Sequence, residues 1–269
     1  MNGAEAIARV LVEHGVVRVF SHSGGTISRL LDAIDRAGIA VIVGVREDQV
    51  VHMAQGAYRA SGRVQVALVT SGPGVTNAVT GIADAYYDQD AIILLAGQVS
   101  MGSKKGARPV RQWGFQECPT VDIIRPISKA AWEPEVANGS WLAGLVKEAL
   151  DLAIKSRPGP VVVSCPMDAQ SDETPGRMAW GHRVVGRPGG DHEGPAIIDA
   201  AAVSDVMAKL NASKRPVIIA GRGCLSAVDE LRAFDIVEHL PEPILTMNEI
   251  WRVLKPGGIA EIFVPSTDG

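Results

Sequence analysis

Cysteine is scarce and poorly placed for pairing. The 269 residues hold three, Cys118, Cys165 and Cys224, far apart and odd in number. No CxxC pair and no Cys/His metal spacing occurs, so no metal site is expected and a reducing cytoplasm is the simplest setting. Long apolar runs are missing too. The longest, such as AIILLAG at 91–97, fall far short of the roughly 20 residues that cross a bilayer. The opening MNGAEAIARVLVEHG reads as an amphipathic helix; without a basic stretch leading into an apolar one, no signal peptide is expected. Positive charge is not in excess: 26 Lys and Arg face 30 Asp and Glu, a net charge of −4. No basic field advertises a nucleic-acid partner. GxGxxG and the Walker loop are absent, so neither a nicotinamide nor a P-loop phosphate site is supported. No repeat of solenoid period occurs.

What remains is a globular composition, 46% hydrophobic and 21% charged, which excludes collagen, coiled coil and disorder. At roughly 150 residues per domain, the length suggests about two domains. Apolar β-branched runs alternate with helical patterns. VRVF (17–20), VIVGV (41–45), VQVALVT (64–70), AIILLAG (91–97) and VVVSC (161–165) read as strands buried on both faces. Helical stretches lie near 26–37, 48–61, 75–87 and 138–155. This alternation predicts an α/β fold, a doubly wound parallel sheet with ligand loops at the carboxyl ends of the strands. SHSGGT, TSGPGVTN and GQVSMGSKKG are those loops.

Between 174 and 194 the chain turns rich in Gly, Pro and charge, which marks an interdomain linker. A helix and a strand at 216–220 then open a partial second α/β domain, at 195–235. The expected organisation is a first domain at 1–173, the linker, that partial domain, and a tail at 236–269.

Two clusters stand out. Glu47 follows the second strand where a helix starts; on position alone it reads as a first-turn acid that favours the helix dipole. His52 reads as a packing or surface histidine. Gly72-Pro73-Gly74 is on its own a strand-to-helix turn, although close approach of a flat ligand would also explain its glycines.

Taken in order, Gly-Gly after the first strand, Glu after the second, GPGVTN after the third, GQV after the fourth, then GFQE and RPISK, resemble the pyrimidine-binding domain of thiamine diphosphate enzymes. The acetolactate synthase-like branch is the most similar, and the resemblance runs from about Asn2 to Met167. It implies that Glu47 is catalytic: the matching glutamate hydrogen-bonds a pyrimidine nitrogen of thiamine diphosphate and shifts the ring to the tautomer that accepts the thiazolium proton. It further implies cofactor contacts by Gly24, Gly25, Gly74, Asn77, Gln98 and Gln116. Phe115 and Lys129 fall at substrate positions, with core packing and a solvated surface lysine as their plainer readings. Arg157, in SRPGPV, matches an arginine that touches flavin in FAD-containing members; the same turn occurs in members without flavin, so FAD stays open. Ser23 stands where the family usually has proline before the glycines, which would loosen that turn. The second domain resembles the family's central domain, with Gly221-Arg222-Gly223 at its first turn.

Two departures follow. The family binds the diphosphate and Mg²⁺ in a C-terminal domain through GDG and a downstream Asn, and the sequence contains no GDG. The chain is therefore expected to be inactive alone. The tail, with MNEIWRVLKPGG and a following strand, resembles the late part of class I S-adenosylmethionine-dependent methyltransferases without their cofactor loop; one more βα unit is the alternative. A chimeric or rearranged frame, switching between Arg232 and Asn248, is the expectation. The implied partners are a small 2-oxo acid and either a homo-oligomer or a separate chain with the diphosphate domain. The alternatives are a subunit of a split 2-oxo acid decarboxylase and a non-catalytic vestigial binding module.

Overall fold

The computed structural model describes residues 1–105, 107, 109, 111–135, 137–155, 157–173 and 200–212. The chain divides into two units, Met1–Asp191 and His192–Gly269. In the second, helix α8 (Ala200–Ala212) is described. The linker at 174–194, the strand at 216–220, the Gly221–Gly223 turn and the tail lie outside the described residues.

The first unit is a six-stranded, all-parallel sheet. Its strands are β1 (Arg18–Ser21), β2 (Ala40–Val43), β3 (Gln65–Val69), β4 (Ile92–Gln98), β5 (Ala130–Trp132) and β6 (Val161–Pro166). They lie in the order β2-β1-β3-β4-β6-β5. β3, β4 and β6 are buried along their whole length, as their unbroken apolar runs require. Because side chains alternate across a strand, each run feeds two cores. Val66, Leu68, Ile93 and Leu95 pack against α1 (Gly3–Glu13), α2 (Ser28–Arg36) and α6 (Gly139–Ile154). Ala67, Val69, Leu94 and Ala96 pack against α3 (Glu47–Ser61), α4 (Pro73–Asp88) and α5 (Thr120–Ile124). A short helix α7 (Met167–Ser171) follows β6.

Local chemistry sets the helix boundaries. Asn2 caps α1 in a reciprocal capping box with Glu5. α3 ends at Gly62, whose φ of 67° suits glycine. Pro73 opens α4, where its missing N–H costs nothing.

One strand expectation needs correction, and one strand was not expected. VIVGV is not buried on both faces: β2 is the sheet's edge, with Val43 71% and Val45 79% exposed. β5, at the other edge, is three residues long and too short to give a periodic signal. Among the described residues, no helix is long and apolar enough to cross a membrane.

The helices after β1 and β3 pack on opposite faces of the sheet, α2 in one core and α4 in the other. These strands are neighbours. Their outgoing loops therefore diverge and open a crevice at the carboxyl edge, the switch point where such sheets bind ligands.

Candidate functional site

The crevice is built on one threonine. Thr70, which leaves β3, lies between the loops after β1 and β3. A Cβ added to Gly24 would fall 2.3 Å from the Thr70 Cβ, and one added to Gly74 would fall 2.9 Å from its Cγ2. Both positions exclude a side chain because their backbones touch Thr70. Gly25, by contrast, faces open space. Thr26 completes the knot: its Oγ1 lies 2.9 Å from Thr70 Oγ1 and accepts from the Ser71 amide at 3.0 Å. The His22 ring Nδ1 donates to the Gly44 carbonyl at 2.9 Å and joins the β1 loop to the segment that leads into α3. These ties tether the turn that contains Ser23.

Glu47 is the first residue of α3, after an extended Arg46. Its side chain is buried, and Oε2 accepts from Asn77 Nδ2 at 3.0 Å. Among the described residues, Oε1 takes no hydrogen bond. A Cβ on Gly74 would sit 3.6 Å from that oxygen. The carboxyl group thus lies between the N-terminal turns of α3 and α4, where unpaired backbone N–H groups favour negative charge.

Gly72 has φ 64° and ψ −114°, a conformation that suits glycine. A Cβ there would meet the backbone of Gln116, with its carbonyl oxygen at 3.0 Å. Gln116 itself adopts a left-handed φ of 59°. The segment after β4 therefore returns to lie against the GPG turn. Nearby, burial raises the Cys118 thiol pKa, against smaller opposing effects from Thr120 and the Gly72 backbone. Ser71 Oγ is buried without a hydrogen-bond partner among the described residues.

Residues 1–123 match the thiamine pyrophosphate enzyme family, in its N-terminal TPP binding domain. This part of the chain belongs to that family. Relatives include the acetolactate synthase isozyme 3 large subunit of Escherichia coli (strain K12), 35% identical over 91% of this chain and 41% of that protein. The acetolactate synthase large subunit of Lactococcus lactis subsp. lactis (strain IL1403) is 35% identical over 91% of this chain and 40% of its own length. The chloroplastic acetolactate synthase of Arabidopsis thaliana is 31% identical over 89% and 34%. The chain thus spans about two fifths of the length of the bacterial relatives.

Within this TPP-binding domain, the structure gathers Gly24, Glu47, Gly74, Asn77 and Gln116 at one crevice. Gln98 is fully buried, and its amide donates to the Cys118 carbonyl at 2.7 Å and to Glu133 Oε2 at 3.4 Å. Phe115 is on the same segment as Gln116 and is 88% exposed. Lys129 precedes β5, so it lies at the amino edge of the sheet, opposite the crevice. Its ammonium donates to the Leu152 and Lys155 carbonyls at 2.5 and 2.7 Å, at the C-terminus of α6. Cations are favoured at that end of a helix. Arg157 lies at the same edge, in the segment that enters β6. His52 pairs with Gln55 at 2.6 Å on the flank of α3 and does not bond Glu47.

Sequence reading missed Thr26, Thr70 and Ser71, although all three adjoin glycine-rich loops. It also missed Lys104 and Glu133, whose pairing no local pattern announces.

Proposed function

We propose that the first domain supplies the aminopyrimidine half of a thiamine diphosphate site in an acetolactate synthase-like enzyme. The reaction is decarboxylation of a 2-oxo acid and transfer of the remaining acyl unit to a second carbonyl, with pyruvate as the default substrate. The observation that carries this reading is Glu47, a buried carboxyl group with one oxygen held by Asn77 and the other free of described protein donors.

Three features support the fit to a flat, nitrogen-bearing ring. Glu47 Oε1 is available to share a proton with a ring nitrogen. Gly74 leaves the space beside that oxygen clear of any side chain. Ser71 Oγ offers a buried polar atom whose hydrogen bonding is unsatisfied among the described residues.

When bound, thiamine diphosphate supplies a nucleophilic carbon and an electron sink for the departing carboxylate's electrons. The residues of this chain bind and tune. Glu47 holds a proton at the ring nitrogen, in a crevice where little water competes for it. Asn77 fixes the carboxyl orientation, and Gln116 closes the crevice from the β4 side. We assign the diphosphate and Mg²⁺ to a domain outside these 269 residues, on a further segment or another subunit. The working unit is then an assembly.

The test mixes the chain with the diphosphate-binding domain of an acetolactate synthase large subunit, thiamine diphosphate, Mg²⁺ and pyruvate, and follows acetolactate formation. Turnover is expected, and Glu47→Gln should lower it on the order of 10²- to 10⁴-fold, the usual contribution of a positioned proton-transfer group. A wild-type mixture without turnover, or an unaffected Glu47→Gln variant, would overturn the reading.

A further inference from the structure

The described residues of the segment 101–117 make almost no use of the hydrophobic core. None of its described residues is buried, and Trp113 and Phe115 stand 49% and 88% exposed. Lys105 covers the Trp113 ring at 4.9 Å but leaves that pair on the surface. A long segment with so little apolar burial does not hold one position through packing. Yet this segment brings Gln116 against Gly72 in a left-handed conformation. Its placement must come from polar ties.

Those ties converge on one carboxylate. Glu133 follows β5 and is mostly buried. It receives Lys104 Nζ on Oε1, and Ser164 Oγ on Oε2 at 2.7 Å. Gln98 Nε2 reaches the same Oε2 at 3.4 Å and donates to the Cys118 carbonyl at 2.7 Å. The segment is thus gripped near its start through Lys104 and at its end through Cys118. Two further bonds support the grip. Asp168 Oδ2 accepts from the Met101 amide at 2.8 Å. Glu117 Oε2 accepts from the Lys105 and Gly114 amides, both at 2.8 Å, and closes the segment on itself.

We propose that Glu133 is a positioning residue: through Lys104 and Gln98 it seats the 101–117 segment at the carboxyl edge and so sets Gln116 against the GPG turn. The role assigned to Gln116 rests on the proposed function; the anchoring itself does not.

Hydrogen exchange on the full chain, followed by mass spectrometry, tests the anchor without cofactor. Glu133→Gln and Lys104→Met should each speed exchange across 101–117 on the order of tenfold while leaving β3 and β4 unchanged. Lys104→Arg should restore protection, because it keeps the charge on the carboxylate. Wild-type protection of 101–117 in both variants would overturn the proposal, as would a loss of protection spread through the sheet. A second arm adds thiamine diphosphate and Mg²⁺ and reads amide chemical shifts. In Glu133→Gln, shifts at Gln116 should vanish while those at Glu47 and Asn77 persist. If the wild type shows no shift at Glu47, the functional reading fails while the exchange arm still decides the anchor.

Discussion

Asn77 Nδ2 donates to Glu47 Oε2 across 3.0 Å and links the first turn of α3 to the second turn of α4, two helices that follow different strands. Among the described residues, the second carboxyl oxygen takes no hydrogen bond. The bond therefore orients Glu47 without occupying it. Asn77→Ala removes this restraint and one partner of a buried carboxyl group. We expect a stability loss of about 1 kcal/mol, measured by urea denaturation, together with weaker cofactor binding.

Glycine substitutions separate a crowded turn from an open helix. Gly72→Ala meets both an unfavourable φ and the Gln116 carbonyl at 3.0 Å. It should cost more than about 1 kcal/mol and loosen the 101–117 segment. Gly56 lies within α3 with nothing near its missing Cβ. Gly56→Ala should stabilise by about 0.5–1 kcal/mol, because alanine loses less backbone entropy. Thermal unfolding of both variants reads the contrast.

A second polar network joins α3 to the loop after α4. The Asp90 side chain is fully buried and accepts from Arg59 Nε at 2.9 Å and Gln55 Nε2 at 3.2 Å. The bond to Asp90 raises the Arg59 pKa. Arg59→Ala leaves a buried carboxylate short of its cation. With Arg59 itself partly in solvent, the expected loss is on the order of 2 kcal/mol, below the figure for a fully buried pair. Arg59→Lys should recover only part, since one ammonium cannot replace the guanidinium's several donors.

Alkaline pH should weaken the fold through its thiols. Burial raises the Cys165 pKa far above its ordinary 9.0. Below that value the thiol is protonated in both folded and unfolded chains and contributes nothing to the pH dependence. Above it the unfolded thiol ionises while the folded one keeps its proton, so stability falls as pH rises. The slope from one such group approaches about 1.4 kcal/mol per pH unit. Cys165→Ala, less stable at neutral pH, should show a flatter decline between pH 9 and 10.5.

The parts of this molecule that the sequence announced are those governed by short-range patterns. β3, β4 and β6 are apolar throughout because both faces are covered, and the GPG turn carries its own glycines. VIVGV misled because an edge strand can be as apolar as a central one; sheet order, not local composition, exposes Val43. Glu47 was legible through its place after a strand in an ordered set of motifs. The Lys104–Glu133 tie was not, since its partners lie 29 residues apart and meet only once β5 and β6 pair. Gln98 and Lys129 show the converse. Their places in motifs say nothing of their partners within the chain, where their hydrogen bonds hold Cys118 and the end of α6.

The most direct measurement is an amide chemical-shift titration of the full chain with thiamine diphosphate and Mg²⁺, in wild type and Glu47→Gln. Weak binding is predicted, with shifts confined to Glu47, Gly72–Asn77 and Gln116, and their loss in the variant. Tight binding, or shifts that survive Glu47→Gln unchanged, would contradict a site of which this chain holds only the pyrimidine half.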